Sequence, residues 1–254
     1  MYADRDDVRV SRWVLPHVVP LVLLPSGTSD QAAILHSASG SLVNTGKKLL
    51  LLTCDHVWGK FAEYCETHPG AAIGVGRGKT TMGCIITSIP VLERSELLDL
   101  AVLDFTEHNV FQDTEQRFAE VPAWPPRRPF IGDEIVLSGF PGTARRPIDG
   151  GANVQFNTST LIAPVSAVND RHFTLADEKQ VRRMWVRTDL VPSYSVFFGG
   201  MSGGPAFVRR DGRYEFAGLL RGGPATDPRE LFFVSHADFV AADGRIDWSI
   251  VPFA

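Results

Sequence analysis

The stretch Gly199-Gly200-Met201-Ser202-Gly203-Gly204-Pro205 decides how this chain is read. A serine set among glycines and closed by proline makes a poor strand interior, because glycine loses more backbone freedom on folding than any other residue. Such a run suits a backbone that must turn sharply, aim its N–H groups inward and let another chain approach. A serine nucleophile with donors for a developing oxyanion has those needs. A glycine-rich turn without chemistry fits the same description. The decision rests on what else the chain holds.

Two upstream segments supply candidate partners, Thr53-Cys54-Asp55-His56-Val57 and Leu97-Leu98-Asp99-Leu100-Ala101-Val102-Leu103. Each borders an apolar run, Leu49 to Leu52 before the histidine and Leu100 to Leu103 after the aspartate. A serine hydroxyl is a weak nucleophile until a base takes its proton, and the base needs a third group to fix its tautomer. Alone, His56 reads as a core histidine at a strand end and Asp99 as a strand-edge charge. With Ser202 they form a set in the order His, Asp, Ser, each beside its own strand signal, and the catalytic reading outweighs the structural one.

At these residues the chain resembles the chymotrypsin-like (trypsin-fold) serine peptidases, most closely the disulfide-free bacterial branch that includes the Deg/HtrA-type peptidase domains. The resemblance spans about residues 30 to 240. It implies an all-β fold of two six-stranded antiparallel β-barrels with short helices, His56 and Asp99 on the first barrel and Ser202 on the second. It implies a serine endopeptidase that cleaves a protein or peptide substrate through an acyl-enzyme, with no cofactor and no metal. It places the oxyanion donors at the backbone N–H groups of Gly200 and Ser202, the pocket base at Val196 and the pocket wall at Gly222 and Gly223. A cationic side chain in that pocket would need a carboxylate to offset its desolvation, and none occurs from Val191 to Met201. Apolar or aromatic residues are therefore expected before the cleaved bond. The alternative class is a binding module, a catalytically weak relative that uses the same cleft to hold a peptide or partner. An esterase of the α/β-hydrolase type would order its residues Ser, Asp, His.

Two positions depart from the resembled pattern. Met201 stands where the secreted, zymogen-activated enzymes carry an aspartate that pairs with a newly cut N-terminus. The loop is then ordered either by apolar packing of Met201 or only once substrate or an activating partner selects it, and the second is the expectation here. Arg221 stands where a serine near the triad aspartate is usual, and it either pairs with Asp99 or points to solvent.

The 254 residues allow two small domains or one large one, with chain enough for a sizeable core. Boundaries are expected at 1–120 for the first barrel, 121–130 for a Pro-rich connector and 131–254 for the second. A formal net charge of −4 argues against a nucleic-acid partner. The doublets Arg127-Arg128, Arg145-Arg146, Arg182-Arg183 and Arg209-Arg210 read as solvated loop charges. Cys54, Cys65 and Cys84 are an odd, sparse set. The residue after the histidine, a disulfide position in secreted members of the resembled family, is Val57, which favours a reducing compartment. The acidic start lacks the basic region of a signal peptide, and the apolar run from Trp13 to Pro25 is broken by two prolines and too short to span a bilayer. A cytoplasmic protein with no membrane association is expected, and that run reads as an edge strand.

Strand signals dominate the rest: Ala32 to Leu35, Ser41 to Val43, Leu49 to Thr53, Ala71 to Val75, Met82 to Ser88, Leu100 to Phe105, Ile131 to Gly142, Leu161 to Val168, His172 to Leu175 and others to Val234. Ser37-Ala38-Ser39-Gly40 and Asn44-Thr45-Gly46 read as turns. A helix is predicted after the histidine on the stripe Phe61, Tyr64, Cys65, His68, ending at Pro69-Gly70, and a second through Phe111, Thr114, Glu115 and Phe118. Cys54, His56, Cys65 and His68 have zinc-ligand chemistry, but Cys65 and His68 fall on the apolar helix stripe and metal would occupy His56. Gly74 to Thr80 resembles a phosphate loop, yet the motif needs glycine where Ile73 stands, so a hairpin loop is expected.

Overall fold

Leu49 to Leu52 forms a strand whose side chains are needed on both faces, and the chain folds around that requirement. The computed structural model describes residues 5–26, 34–77, 81–112, 114–142, 145–148, 153–175, 182–185, 199–222 and 232–252. Its first half comprises α1 (Arg5–Val14), a 3₁₀ turn (Leu15–His17), β1 (Val18–Leu24), β2 (His36–Asn44), β3 (Leu49–Thr53), α2 (Asp55–Thr67), β4 (Ala72–Arg77), β5 (Thr81–Ile85), β6 (Val91–Ser95), β7 (Leu100–Asp104) and β8 (Ala119–Glu120). The strands run antiparallel in the order β5-β4-β1-β2-β3-β7-β6, with β8 joining β2 in parallel. Successive side chains of a strand face opposite ways. Leu51 accordingly enters the core inside this sheet with Leu21, Ile73, Leu103 and Phe105, while Leu50 and Leu52 enter a second core with Val102, Val136, Phe207 and Phe216. That second core lies between the two halves. A strand buried on both faces reads as a continuous apolar run.

The second half contains β9 (Glu134–Gly139), β10 (Arg145–Ile148), β11 (Asn153–Phe156), β12 (Ser159–Val168), β13 (His172–Leu175), β14 (Arg182–Trp185), β15 (Pro205–Arg210), β16 (Arg213–Gly222) and β17 (Phe232–His236). The order β13-β17-β16-β15-β9-β12 closes on itself because β12 also pairs with β13, which makes a six-stranded antiparallel barrel. β14 adds to β12, and β10 and β11 form a separate hairpin. Ile135, Leu137, Leu161, Phe173, Met201 and Val234 fill the barrel. The all-β class and chymotrypsin-like two-sheet plan are as expected. The first sheet differs from a closed six-stranded barrel: among the described residues its ends, β5 and β6, do not pair.

Several local expectations are corrected. The run from Trp13 is not an edge strand. It continues helix α1, then becomes β1, which is buried throughout and flanked by β2 and β4. Pro20 is accommodated because the β4 ladder begins at Leu21. Val10, Trp13 and Val14 join the inter-half core, and the Trp13 ring lies 4.8 Å from Phe207 and 4.6 Å from Tyr214. Ser37 to Gly40 is not a turn but part of β2, whereas Asn44-Thr45-Gly46 does turn, with Gly46 at φ 83°. Helix α2 begins before His56 and ends as predicted; Phe61, Tyr64 and Cys65 of the predicted stripe pack against the core, joined by buried Val57 and Trp58, while His68 is exposed. No helix forms at Phe111 to Phe118 among the described residues, because the Thr114 hydroxyl donates to the Phe111 carbonyl and accepts from the Gln116 N–H, a local arrangement that competes with helix. Three of the arginines expected in solvent are paired, Arg127 with Glu215 at 3.1 Å, Arg128 with Asp238 at 2.7 Å and Arg210 with Asp133 at 2.8 Å. Of the phosphate-loop look-alike, Gly74 to Arg77 belong to β4, which pairs antiparallel with β5, and residues 78–80 lie outside the described residues; all three cysteines are free. No helix among the described residues is long and apolar enough to cross a membrane.

Candidate active site

His56 is aimed by the junction of a strand and a helix. Strand β3 ends at Thr53, Cys54 is extended at the helix N-cap (φ −73°, ψ 142°), and α2 starts at Asp55, so His56 lies in its first turn. Asp55 suits the positive end of the helix dipole and is held by Arg94 Nε at 2.7 Å. Asp99 closes the turn between β6 and β7 with φ 51°, a left-handed conformation that aspartate tolerates better than most residues. This turn brings its buried carboxylate under the imidazole. His56 Nδ1 lies 2.9 Å from Asp99 Oδ1 and 2.8 Å from Oδ2, and the His56 backbone N–H donates to Oδ1 at 3.0 Å. An ionised carboxylate only accepts hydrogen bonds. Nδ1 therefore carries the proton, and Nε2 is left as the basic nitrogen. Burial pushes the Asp99 carboxyl up, but hydrogen bonds from the His56 ring and backbone N–H, then the charges of His56 and Arg221, outweigh it and hold the carboxyl below its ordinary value.

The glycine-rich stretch is pinned to the first half by Ser39, a fully buried residue of β2. The Ser39 N–H donates to the Ser202 carbonyl at 3.0 Å, and its hydroxyl donates to the Gly200 carbonyl at 2.8 Å. That hydroxyl accepts from the Phe140 N–H at 2.9 Å, and the Ser39 carbonyl accepts from the Thr53 hydroxyl at 2.9 Å. Ser41 adds a bond from its hydroxyl to the Gly203 carbonyl at 2.8 Å. On the other side the Gly203 N–H donates to the Leu220 carbonyl at 2.7 Å, an oxygen that also accepts from the Cys54 thiol at 3.2 Å. Gly203, the neighbour of Ser202, thus shares an acceptor with Cys54, two residues before His56. Met201 is completely buried in the barrel core, and half-buried Ser202 follows it at the interface. Gly200 adopts φ 98°, and a Cβ there would lie 2.6 Å from the Gly142 nitrogen. Among the described residues, neither the Gly200 nor the Ser202 N–H donates to a backbone carbonyl. Ser39 and Ser41 were missed as loop anchors in the sequence: Ser39 lies in a small, polar stretch with the composition of a turn, and Ser41 only opened a strand signal.

Of the expected pocket residues, Val196 and Gly223 lie outside the described residues. Gly222 ends β16, half-buried, with open space where a Cβ would stand. Arg221 turns toward Asp99: its Nε is 3.8 Å from Asp99 Oδ2. A cavity of about 350 Å³ opens beside His56, lined by Asp55, Gly59, Lys60, Glu63, Arg94 and Glu96 among others. Ligand atoms of Cys54, His56 and Asp99 lie within 4.8 Å of one another. They have metal-ligand chemistry, but His56 and Asp99 bind each other, and burial, then the Asp99 charge, pushes the Cys54 thiol well above its ordinary value and keeps it protonated. Cys65 and His68 take no part in that cluster.

No curated protein matches the sequence. A solved structure, that of the thermostable serine protease AL20 from an extremophilic microorganism, aligns over 87% of this chain and 91% of its own, with 14% identity and a TM-score of 0.46. The family model for the trypsin-like peptidase domain matches residues 38–214, which include His56, Asp99 and Ser202 together with the β2 serines that anchor the loop. With most of its length inside that match, this serine endopeptidase belongs to the trypsin-like peptidase family.

Proposed function

We propose that His56, Asp99 and Ser202 act as one unit that hydrolyses peptide bonds through an acyl-enzyme. The observation that carries this reading is the paired hydrogen bonding of His56 Nδ1 to Asp99 beside a serine loop anchored to the same strands. His56 Nε2 takes the Ser202 hydroxyl proton as Oγ attacks the scissile carbonyl carbon. Asp99 stabilises the imidazolium that forms, and the Gly200 and Ser202 N–H groups stabilise the oxyanion. Collapse of the tetrahedral species breaks the C–N bond, and the imidazolium returns its proton to the leaving amine. Water then attacks the acyl-enzyme by the same route and frees Ser202. The substrate is a protein or peptide, and no step calls for a cofactor. Gly222, with no side chain at the cleft edge, supports acceptance of apolar or aromatic side chains before the cleaved bond.

The buried packing of Met201 supports a loop ordered by its own hydrophobic anchor, with no newly cut N-terminus needed. Under this reading an activating partner would act on substrate access rather than on loop order. Labelling by a fluorophosphonate probe tests the proposal. Wild type should label and hydrolyse a peptide library, while Ser202→Ala and His56→Ala should do neither. Equal turnover by wild type and Ser202→Ala would remove Ser202 from the mechanism, and a protein that binds peptides without labelling would be a binding module.

A further inference from the structure

Asp99 faces two partners. Its carboxylate accepts from His56 through both oxygens, and Arg221 Nε, from strand β16, approaches the same Oδ2 at 3.8 Å. The contact is too long for a hydrogen bond, so the interaction is one of charge. About 90% of the Asp99 side chain is shielded from water, and about 30% of the Arg221 side chain is exposed. A charge beside a shielded carboxylate is screened less than one in solvent. We propose that Arg221 is a positioning residue that divides the Asp99 charge between itself and His56, and so sets how far into acid the enzyme works. This inference rests on the triad reading given above.

The physical reason is competition for one negative charge. During acylation the imidazole gains a proton, and the carboxylate beneath it stabilises the resulting cation. A guanidinium fixed at that carboxylate cancels part of this stabilisation and repels the imidazolium across it. Protonation of His56 in the resting enzyme is opposed in the same way, so activity extends to lower pH at some cost in turnover. Arg221 is not alone around His56. Asp55, paired with Arg94, and Lys60, Glu63, Glu66 and Glu96 line the cavity beside the ring. Cys54, behind it, is neutral. These groups carry both signs and surround an open cavity, whereas Arg221 meets the shielded carboxylate directly. Its charge reaches His172 as well, whose ring burial, then this cation, lowers.

The test replaces the charge and keeps the bulk. Arg221→Gln should move the acid limb of the kcat/KM profile to higher pH by about 0.5–2 pH units, the range given by Coulomb interaction over several ångströms at effective permittivities of about 80 to 20. Plateau kcat should rise several-fold. Arg221→Lys, which retains the cation, should keep the wild-type limb. Arg221→Ser provides the same readout if the glutamine variant does not fold. The proton shared by His56 and Asp99 is followed by NMR in the same variants, and its titration midpoint should shift as the limb does. That measurement needs no turnover: if wild type neither labels nor hydrolyses, the triad reading fails while the charge coupling is still measured. An unchanged midpoint in Arg221→Gln, or an equal shift in Arg221→Gln and Arg221→Lys, would overturn the proposal.

Discussion

Among the described glycines with positive φ, Gly203 is the one where an added methyl group would meet the closest atom. Its φ of 87° lies in the left-handed region, and a Cβ would stand 2.2 Å from the Ser39 carbonyl oxygen and 2.4 Å from the Thr53 hydroxyl. Real Cβ atoms do not approach oxygen so closely, so Gly203→Ala must push the loop off β2 by about 1 Å or adopt another backbone conformation. Left-handed backbone costs a non-glycine residue about 1–2 kcal/mol. Displacement weakens two hydrogen bonds, Gly203 N–H to Leu220 and Ser41 hydroxyl to Gly203, each contributing about 0.5–1.5 kcal/mol. The expected loss is about 2–5 kcal/mol, a large share of the roughly 5–15 kcal/mol that holds an ordinary domain folded. Urea unfolding at 25 °C measures it, and probe labelling of the still-folded fraction reports whether Ser202 has moved. Gly199→Ala is the comparator in the same loop: a Cβ there meets nothing within 4 Å, and its effect should stay within about 0.5 kcal/mol. Equal stability for Gly203→Ala and wild type, or equal damage from the two substitutions, would refute the steric argument.

Met201→Ala should lower stability by about 2–5 kcal/mol, as large-to-small changes in a closed core do, and reduce labelling of Ser202 more than Val208→Ala, a comparable core truncation away from the loop. Asp99→Asn should cut kcat by about 10⁴-fold, the effect typical of such a change in this family, because the wrong tautomer is then favoured. The Asp99 carboxyl is depressed in the folded state, so its contribution to stability is present above the unfolded carboxylate range and lost as pH falls through the folded value. The stability gap between wild type and Asp99→Asn, measured by urea unfolding from about pH 6 to about pH 3, should therefore narrow toward acid. With three free cysteines, a reducing agent should leave the melting temperature and activity unchanged, and a large drop would reveal a bond between chains.

What was legible in the sequence was local. Leu49 to Thr53 and His172 to Leu175 became β3 and β13 because their apolar or β-branched content is bounded by turn residues. The His, Asp and Ser motifs were legible because few folds place those types at strand ends in that order. Ser37 to Gly40 was misread because the same small residues serve a turn or a close approach. In the fold they leave room: a Cβ on Gly40 would press Leu51 and Val19 at 3.2 and 3.3 Å. Helix α1 was hidden because Val10, Trp13 and Val14 join a core whose other members, Phe207 and Tyr214 among them, lie far along the chain. The open first sheet and the approach of Arg221 to Asp99 depend on distant strand pairing, which leaves no periodic trace.

The role of Ser39 also orders events in time. Its hydroxyl reaches the Gly200 carbonyl across 161 positions of chain. As the chain is synthesised, His56 and Asp99 can meet long before Ser202 exists, yet the serine loop has no seat until β2 receives it. Loops that long close slowly, and domains of a growing chain fold from the N-terminal end. The newborn first half is thus chemically inert however well it folds. Under the proposed mechanism, reactivity should appear only once the second barrel docks, and an event that parts the halves should silence the enzyme without touching His56, Asp99 or Ser202.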